Sequence, residues 1–334
     1  MPESQRVNIA VDAMGGDGGY RVVVEGAVRA LSDDQGLVLH LVGDRSDLES
    51  ALSGVDAGLR GRIRLHEAHS ALPMDVTTAR ALRQGRGSSM QRSLELLAAG
   101  DVQGVVSAGN TGALMALSRQ TMGMLPGVER PALMASIPGA DKPVWVLDLG
   151  ANVGVDAHRL LEFARLGHFA VEVLAGSAPR TGLLNIGHEP NKGPDVLREA
   201  GRLIDAEREI DYAGFVEADA VFAGAVDLVV CDGFAGNVLL KGAEGMVKLV
   251  FGEIDRALGR GPGGWLARRR LRSAHDRLDP AMHNGAPLLG VRGTVIKSHG
   301  AACVRGVAAA LRLAALEARR DLIPELERRL WASY

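Results

Sequence analysis

The feature that most constrains this chain is a unit repeated along it: a short apolar run, a cluster rich in Gly, Asp and Asn, then a helical pattern. It occurs at residues 7–11 into 12–17, 105–106 into 107–112, 144–147 into 148–152, 183–186 into 187–189, 228–231 into 232–233, and 294–297 into 298–300. Apolar runs without alternation are strands buried on both faces, and helices between them make right-handed crossovers of a parallel sheet. The expected fold is therefore α/β: a doubly wound, mostly parallel sheet in an α/β/α sandwich. The polar clusters, each at a strand-to-helix handover, are expected to gather along one carboxyl edge.

One segment breaks the rhythm. Residues 251–284 carry Gly259, Gly261-Pro262-Gly263-Gly264 and an arginine-rich stretch, which reads as a helical hairpin with a Gly-Pro elbow projecting from a single domain over 1–334. Charge sets few limits: 38 basic and 40 acidic residues leave a net charge of -2 and no global field for nucleic acid. The two cysteines, Cys231 and Cys303, sit in apolar settings and read as reduced packing residues. The N-terminus has no leader pattern and no stretch of about 18 apolar residues occurs, so the expectation is a cytoplasmic protein whose membrane contact is peripheral.

Glycines at a strand-to-helix turn let backbone N–H groups point outward, and the helix N-terminus adds partial positive charge, an arrangement suited to phosphate. The turn bearing Ser107, Gly109, Asn110, Thr111 and Gly112 and the turn bearing Asp232, Gly233 and Asn237 are the leading candidates, with Lys241 one helical turn further on. The competing reading is that these glycines only permit tight turns. There is no G-x-x-x-x-G-K-[ST], no G-x-G-x-x-G, no G-x-S-x-G and no H-E-x-x-H, which argues against nucleotide kinases, conventional Rossmann dehydrogenases, serine hydrolases of the elbow type and zinc peptidases. His66 and His69 lack further ligands, so no metal is expected. Asp12, Asp17, Asp148 and Asp232 stand at strand ends, where capping is the common role. Glu189 and Lys192 form a charged loop able to hold an anion, or simply a solvated one.

In this order the clusters resemble the PlsX family of acyl-acyl carrier protein:phosphate acyltransferases over nearly the whole chain. The matching stretches are residues 10–17, 88–90, 107–115, 148–152, 184–187, Glu189, Lys192-Gly193, 232–234, 236–238, Leu240-Lys241, Glu244-Gly245, 285–290 and 298–300. The resemblance implies a fold related to isocitrate dehydrogenase and phosphotransacetylase, a homodimer, peripheral membrane association, and a place early in bacterial phospholipid synthesis. Its implied partners are acyl carrier protein and inorganic phosphate, with the glycerol-3-phosphate acyltransferase that uses the product as a further one; no cofactor is expected. Three places depart from the family pattern: Gly18-Gly19-Tyr20 replaces His-Ala-Pro, Arg86 stands beside Gly85 where a basic pair is usual, and residues 214–220 are altered although Glu217 is retained.

In such a reaction phosphate attacks the thioester directly, so the protein must position it and supply donors for the oxyanion. Asn110, Asn152 and Asn237 are the expected donors, and Ser298 with His299 the expected proton relay. Gly15, Gly16, Asp17, Ser107, Gly109, Thr111, Gly112, Asp148, Gly150, Glu189, Lys192, Glu217, Asp232, Gly233 and Lys241 are expected at phosphate or substrate. In the projection, Trp265, Leu266 and Leu271 are expected to supply apolar contact and Arg268, Arg269 and Arg272 the surrounding charge, a pattern suited to an anionic membrane, to the acidic carrier, or to a dimer partner. The rival functions are transfer between coenzyme A and phosphate, a decarboxylating dehydrogenase on the same scaffold, and a membrane-recruited scaffold that binds the carrier without turnover.

Overall fold

The computed structural model describes residues 6–259 and 261–332. Among these, eleven strands form one sheet: β1 (Val7–Asp12), β2 (Leu37–Gly43), β3 (Ile63–Glu67), β4 (Gly104–Ser107), β5 (Ala132–Ile137), β6 (Val144–Leu147), β7 (Arg180–Leu184), β8 (Asp211–Val216), β9 (Leu228–Val230), β10 (Ala286–Leu289) and β11 (Thr294–Lys297). Their order is β3-β2-β1-β4-β11-β10-β5-β6-β9-β7-β8. Each of the six recurring units supplies a strand, and helices between them cover both faces. The doubly wound, mostly parallel α/β sandwich is the observed fold.

The single carboxyl edge is not. Strands β3, β2, β1, β4 and β11 run one way. Three antiparallel pairings, β11 with β10, β10 with β5 and β5 with β6, then invert the sense. Strands β6, β9, β7 and β8 are again parallel to one another but opposed to the first group. The ends of β1, β4 and β11 therefore lie on one edge, and those of β6, β7 and β9 on the other. The inversion comes from β5 and β10, whose direction no apolar pattern encodes.

One core cluster, with Ile9, Val11, Leu39 and Leu311, belongs to the first half, and another, with Phe163, Leu166 and Leu228, to the second. A third, from Val105 and Val295 through Leu133, Ala135 and Leu288 to Val229, runs under both halves along one face of the sheet. The helix after β9 runs unbroken over Gly233–Leu258 and turns back as Pro262–Leu278. The projecting hairpin thus includes residues well before 251, because Asp232 caps the helix and nothing interrupts it until Gly259. A crossover helix runs opposite to the strand it follows, so this one carries the second half's residues back toward the first half's edge.

Candidate active site

On the first edge three turns are pinned together around a buried carboxylate. Asp12 accepts from the hydroxyls of Ser89 and Ser107, each at 2.6 Å, and Gly109 N–H donates to Ser107 Oγ at 3.1 Å. Burial pushes the Asp12 pKa up, against these donors. Gly15 and Gly16 make the approach possible. A Cβ on Gly15 would stand 2.6 Å from Asp12 Oδ2, and Gly16, at φ +89°, has Ala108 Cβ 2.8 Å and Gly300 O 2.9 Å from the place of its missing Cβ. Asp17 N–H donates to Gly300 O, and Ser298 N–H to Ser107 O, both at 2.8 Å.

The sequence expected Asn110 to face substrate, but it is a helix cap: its Oδ1 accepts from Ala113 N–H at 2.8 Å and its Nδ2 donates to Met74 O at 2.6 Å. Ser107 and Gly109 are buried in the Asp12 network. At Gly112, Thr78 Oγ1 is 3.1 Å from where a Cβ would stand.

On the opposite edge Asp148 is fully buried and accepts from the backbone N–H groups of Leu133, Leu149, Ala151 and Asn152. Burial raises its pKa. Asn152 is also turned inward, its Nδ2 donating to Pro131 O at 2.9 Å and to Asp148 Oδ2 at 3.2 Å. Neither residue presents a free donor to a ligand, which corrects the oxyanion role expected of Asn152. Asp232 ties its own helix to the loop after β6, accepting from Phe234, Gly154 and Val155 N–H. Gly233 packs on Asn152 O and Gly150 against Asn237. Glu189 and Lys192 are exposed beyond β7, and Glu217, beyond β8, pairs with His188 at 3.2 Å. These loops lie by the far strands and do not line the main cleft.

That cleft, about 640 Å³, opens where the sheet reverses sense, between the Gly233–Leu258 helix and the strands β5, β10 and β11. Of the expected residues, Asp17, Thr111, Asn237, Lys241, Ser298 and His299 line it. Lys241 Nζ reaches across from the helix to within 3.3 Å of His299 Nε2, and also meets Glu244 at 2.9 Å. Ala301 N–H donates to His299 Nδ1 at 3.1 Å, so the neutral imidazole carries its proton on Nε2. Two donors then face each other with no acceptor between them. Burial, and next the Lys241 cation, depress the His299 pKa. Asn237 is exposed and its side-chain amide has no hydrogen-bond partner among the described residues. Ser298 is buried; its Oγ accepts from Asn284 Nδ2 at 2.8 Å while Asn284 Oδ1 accepts from His299 N–H at 2.9 Å. It shapes the turn.

Lys297 is the residue that sequence reasoning passed over. It ends β11, lines the cleft, and donates from Nζ to the carbonyls of Ala108, at 3.3 Å, and Ser298. Burial lowers its pKa to about 8, with Asp12 and Asp17 pulling the other way. The available signal was a cation closing an apolar strand immediately before a Ser-His-Gly turn. Of His275, Asp276 and Asp279, whose ligand-type atoms lie within 4.8 Å of one another, Asp279 lines the cleft, and Arg305 already pairs both carboxylates, at 3.2 and 2.5 Å.

The site therefore has cations and N–H donors converging at one pole, and walls that are mostly apolar but also carry Glu244, Lys248, Asp279 and His283. Among solved structures, a phosphotransacetylase from Streptococcus pyogenes matches with TM-score 0.62, covering 94 % of each chain at 16 % identity. A branched-chain phosphotransacylase from Enterococcus faecalis V583 matches at 0.60, covering 93 % of this chain and 99 % of that one at 14 % identity. Both likenesses establish the fold. Sequence relatives carry the family: the chain is 44 % identical over 326 residues to a phosphate acyltransferase of Pseudomonas syringae pv. syringae (strain B728a), covering 96 % of each. It is 45 % identical to that of Pseudomonas fluorescens (strain Pf0-1), covering 96 % of this chain and 97 % of the relative. The model of the family described as "Fatty acid synthesis protein" matches residues 7–324. By the extent of these matches, the chain belongs to that family, among the phosphate acyltransferases of the PlsX type.

Proposed function

We propose that this protein transfers a fatty acyl group from the thioester of acyl carrier protein to inorganic phosphate, giving an acyl phosphate for phospholipid synthesis. The observation that carries the reading is the facing pair of Lys241 Nζ and His299 Nε2–H, 3.3 Å apart with no acceptor between, beside the half-buried Lys297 cation. An anionic oxygen at this pole satisfies both donors and offsets both charges. A phosphate oxygen attacks the thioester carbonyl, forming the C–O bond. The C–S bond then breaks, its electron pair leaves with the carrier sulfur, and the proton released by hydrogen phosphate ends on that thiol. The free amide of Asn237 is the donor available to the tetrahedral oxyanion, a contribution of about 3 kcal/mol when well placed. Comparing palmitoyl-acyl carrier protein with palmitoyl-coenzyme A tests the donor: equal kcat/KM for the two would remove the carrier from this reading.

No helix among the described residues is long and apolar enough to cross a membrane, and the hairpin suits peripheral contact. Trp265 is 62 % and Leu266 48 % exposed, with Met246, Leu249 and Val250 exposed on the neighbouring helix. Arg269 lies over the Trp265 ring at 5.9 Å. Arg268 instead closes the hairpin, bonding Asp255 Oδ1 at 3.0 Å and Gly259 O at 2.5 Å, which removes it from the basic surface the sequence suggested. Arg272 and Leu271 remain exposed. An anionic bilayer fits these apolar and basic groups together. Trp265→Ala with Leu266→Ala is expected to weaken sedimentation with anionic liposomes more than tenfold, since each buried side chain contributes about 2 kcal/mol, and to leave turnover in solution within twofold. A raised KM for acyl carrier protein with liposome binding intact would assign the hairpin to the carrier; a loss of dimer would assign it to a second copy.

A further inference from the structure

The floor of the cleft is the sheet face of β5 and β10, over which the covering segments leave a gap. On β5, Leu133, Ala135 and Ile137 point to this side, and on β10 Ala286 sits beside Lys297, its partner in the β10–β11 pairing. Leu133, Ala135 and Ile137 are themselves buried, 5 %, 7 % and 1 % exposed, while Ala286 is half-buried. Over β5 and β10 the roof is the Gly233–Leu258 helix, which presents Leu240 and Val247 on the same face as Lys241 and Glu244. The two alanines are the smallest side chains among these floor positions, and both line the cleft.

A mostly apolar trough that ends at two lysines and an imidazole N–H is matched by a ligand with a polar head and a hydrocarbon body. We propose that the acyl chain of the donor lies in this trough, over Ala135 and Ala286 and under Leu240 and Val247, with its carbonyl toward Asn237 beside the phosphate held by Lys241 and His299. The inference rests on the acyl-transfer reading above. The room over the two alanines then decides how long a chain the enzyme accepts. A larger side chain at either position displaces terminal methylenes of a long chain and leaves a short one in place.

The test is Ala135→Met and, separately, Ala286→Met, each assayed with palmitoyl- and octanoyl-acyl carrier protein at saturating phosphate. The ratio of kcat/KM for palmitoyl over octanoyl is expected to fall about tenfold, the factor for losing burial of about two methylenes. An unchanged ratio in a folded variant overturns the proposal. So does an equal loss for both donors, which would place the carrier's pantetheine arm in the trough. If Ala135→Met fails to fold, Ala286→Met reads the same ratio from the more open position. Should the parent protein turn over no acyl thioester at all, the reaction reading fails. The trough is then judged by saturable binding of a fluorescent polyene fatty acid, expected to weaken about tenfold in each variant; no binding to the parent, or equal binding to all three, sinks it.

Discussion

Replacing Lys241 by alanine is expected to lower kcat/KM for phosphate about 30-fold or more while the melting temperature stays within a few degrees. The side chain is partly exposed and holds no core contact, so the fold loses only its pairing with Glu244, a surface ion pair of small worth. The bound phosphate loses a charge-assisted hydrogen bond, about 2 kcal/mol. A second change follows in the imidazole: without the ammonium beside Nε2, the His299 pKa is expected to rise, because that cation is one of the causes holding it down. Titration of His299 by NMR in parent and variant reads this directly. A variant with parental phosphate dependence would remove Lys241 from the site, and an unmoved His299 would show that the contact does not form in solution.

Lys297→Met is expected to cost about 100-fold in kcat/KM for phosphate at pH 7, because it removes a cation held in place by two carbonyls in a mostly buried setting. The pH profile carries the sharper statement. In the parent the Lys297 pKa is lowered to about 8 by burial, so the phosphate term in kcat/KM should decline as pH rises through about 8, and the variant should lack that limb. Stability runs in the opposite sense. Below about 8 both folded and unfolded chains hold the proton, and the folded state bears the full cost of a buried charge. Above 8 the folded lysine is neutral while the unfolded one keeps its proton up to about 10.5, and the cost fades. The methionine variant is therefore expected to be more stable than the parent at pH 7, on the order of 2 kcal/mol, with the gap narrowing above pH 8. Less stability at pH 7 would mean that Asp12 and Asp17 depend on this cation more than burial opposes it.

The strand-turn-helix alternation was legible because burial on both faces leaves a continuous apolar run, and β1, β4, β6, β7, β9 and β11 all carry one. The reversal of the sheet was not legible. It depends on β5 and β10, and nothing in residues 132–137 or 286–289 marks whether a neighbour is parallel or antiparallel. The same reversal explains the mixed fate of the candidate residues. Asn237, Lys241 and His299 meet because a crossover helix spans the sheet, while Asn110 and Asn152 stay where their turns need them. A small polar residue in a glycine-rich turn looks the same in sequence whether it faces a ligand or a backbone N–H. Lys297 was hidden for the converse reason, since a lysine closing an apolar strand normally reads as the strand's exposed end.

The most direct measurement is phosphorus NMR of the purified protein mixed with palmitoyl-acyl carrier protein and inorganic phosphate. The expected result is an acyl phosphate resonance growing in step with release of the carrier thiol, with both absent when phosphate is left out and both slowed about 30-fold in Lys241→Ala. Thiol release at the same rate without phosphate, yielding free fatty acid and no acyl phosphate, would contradict it.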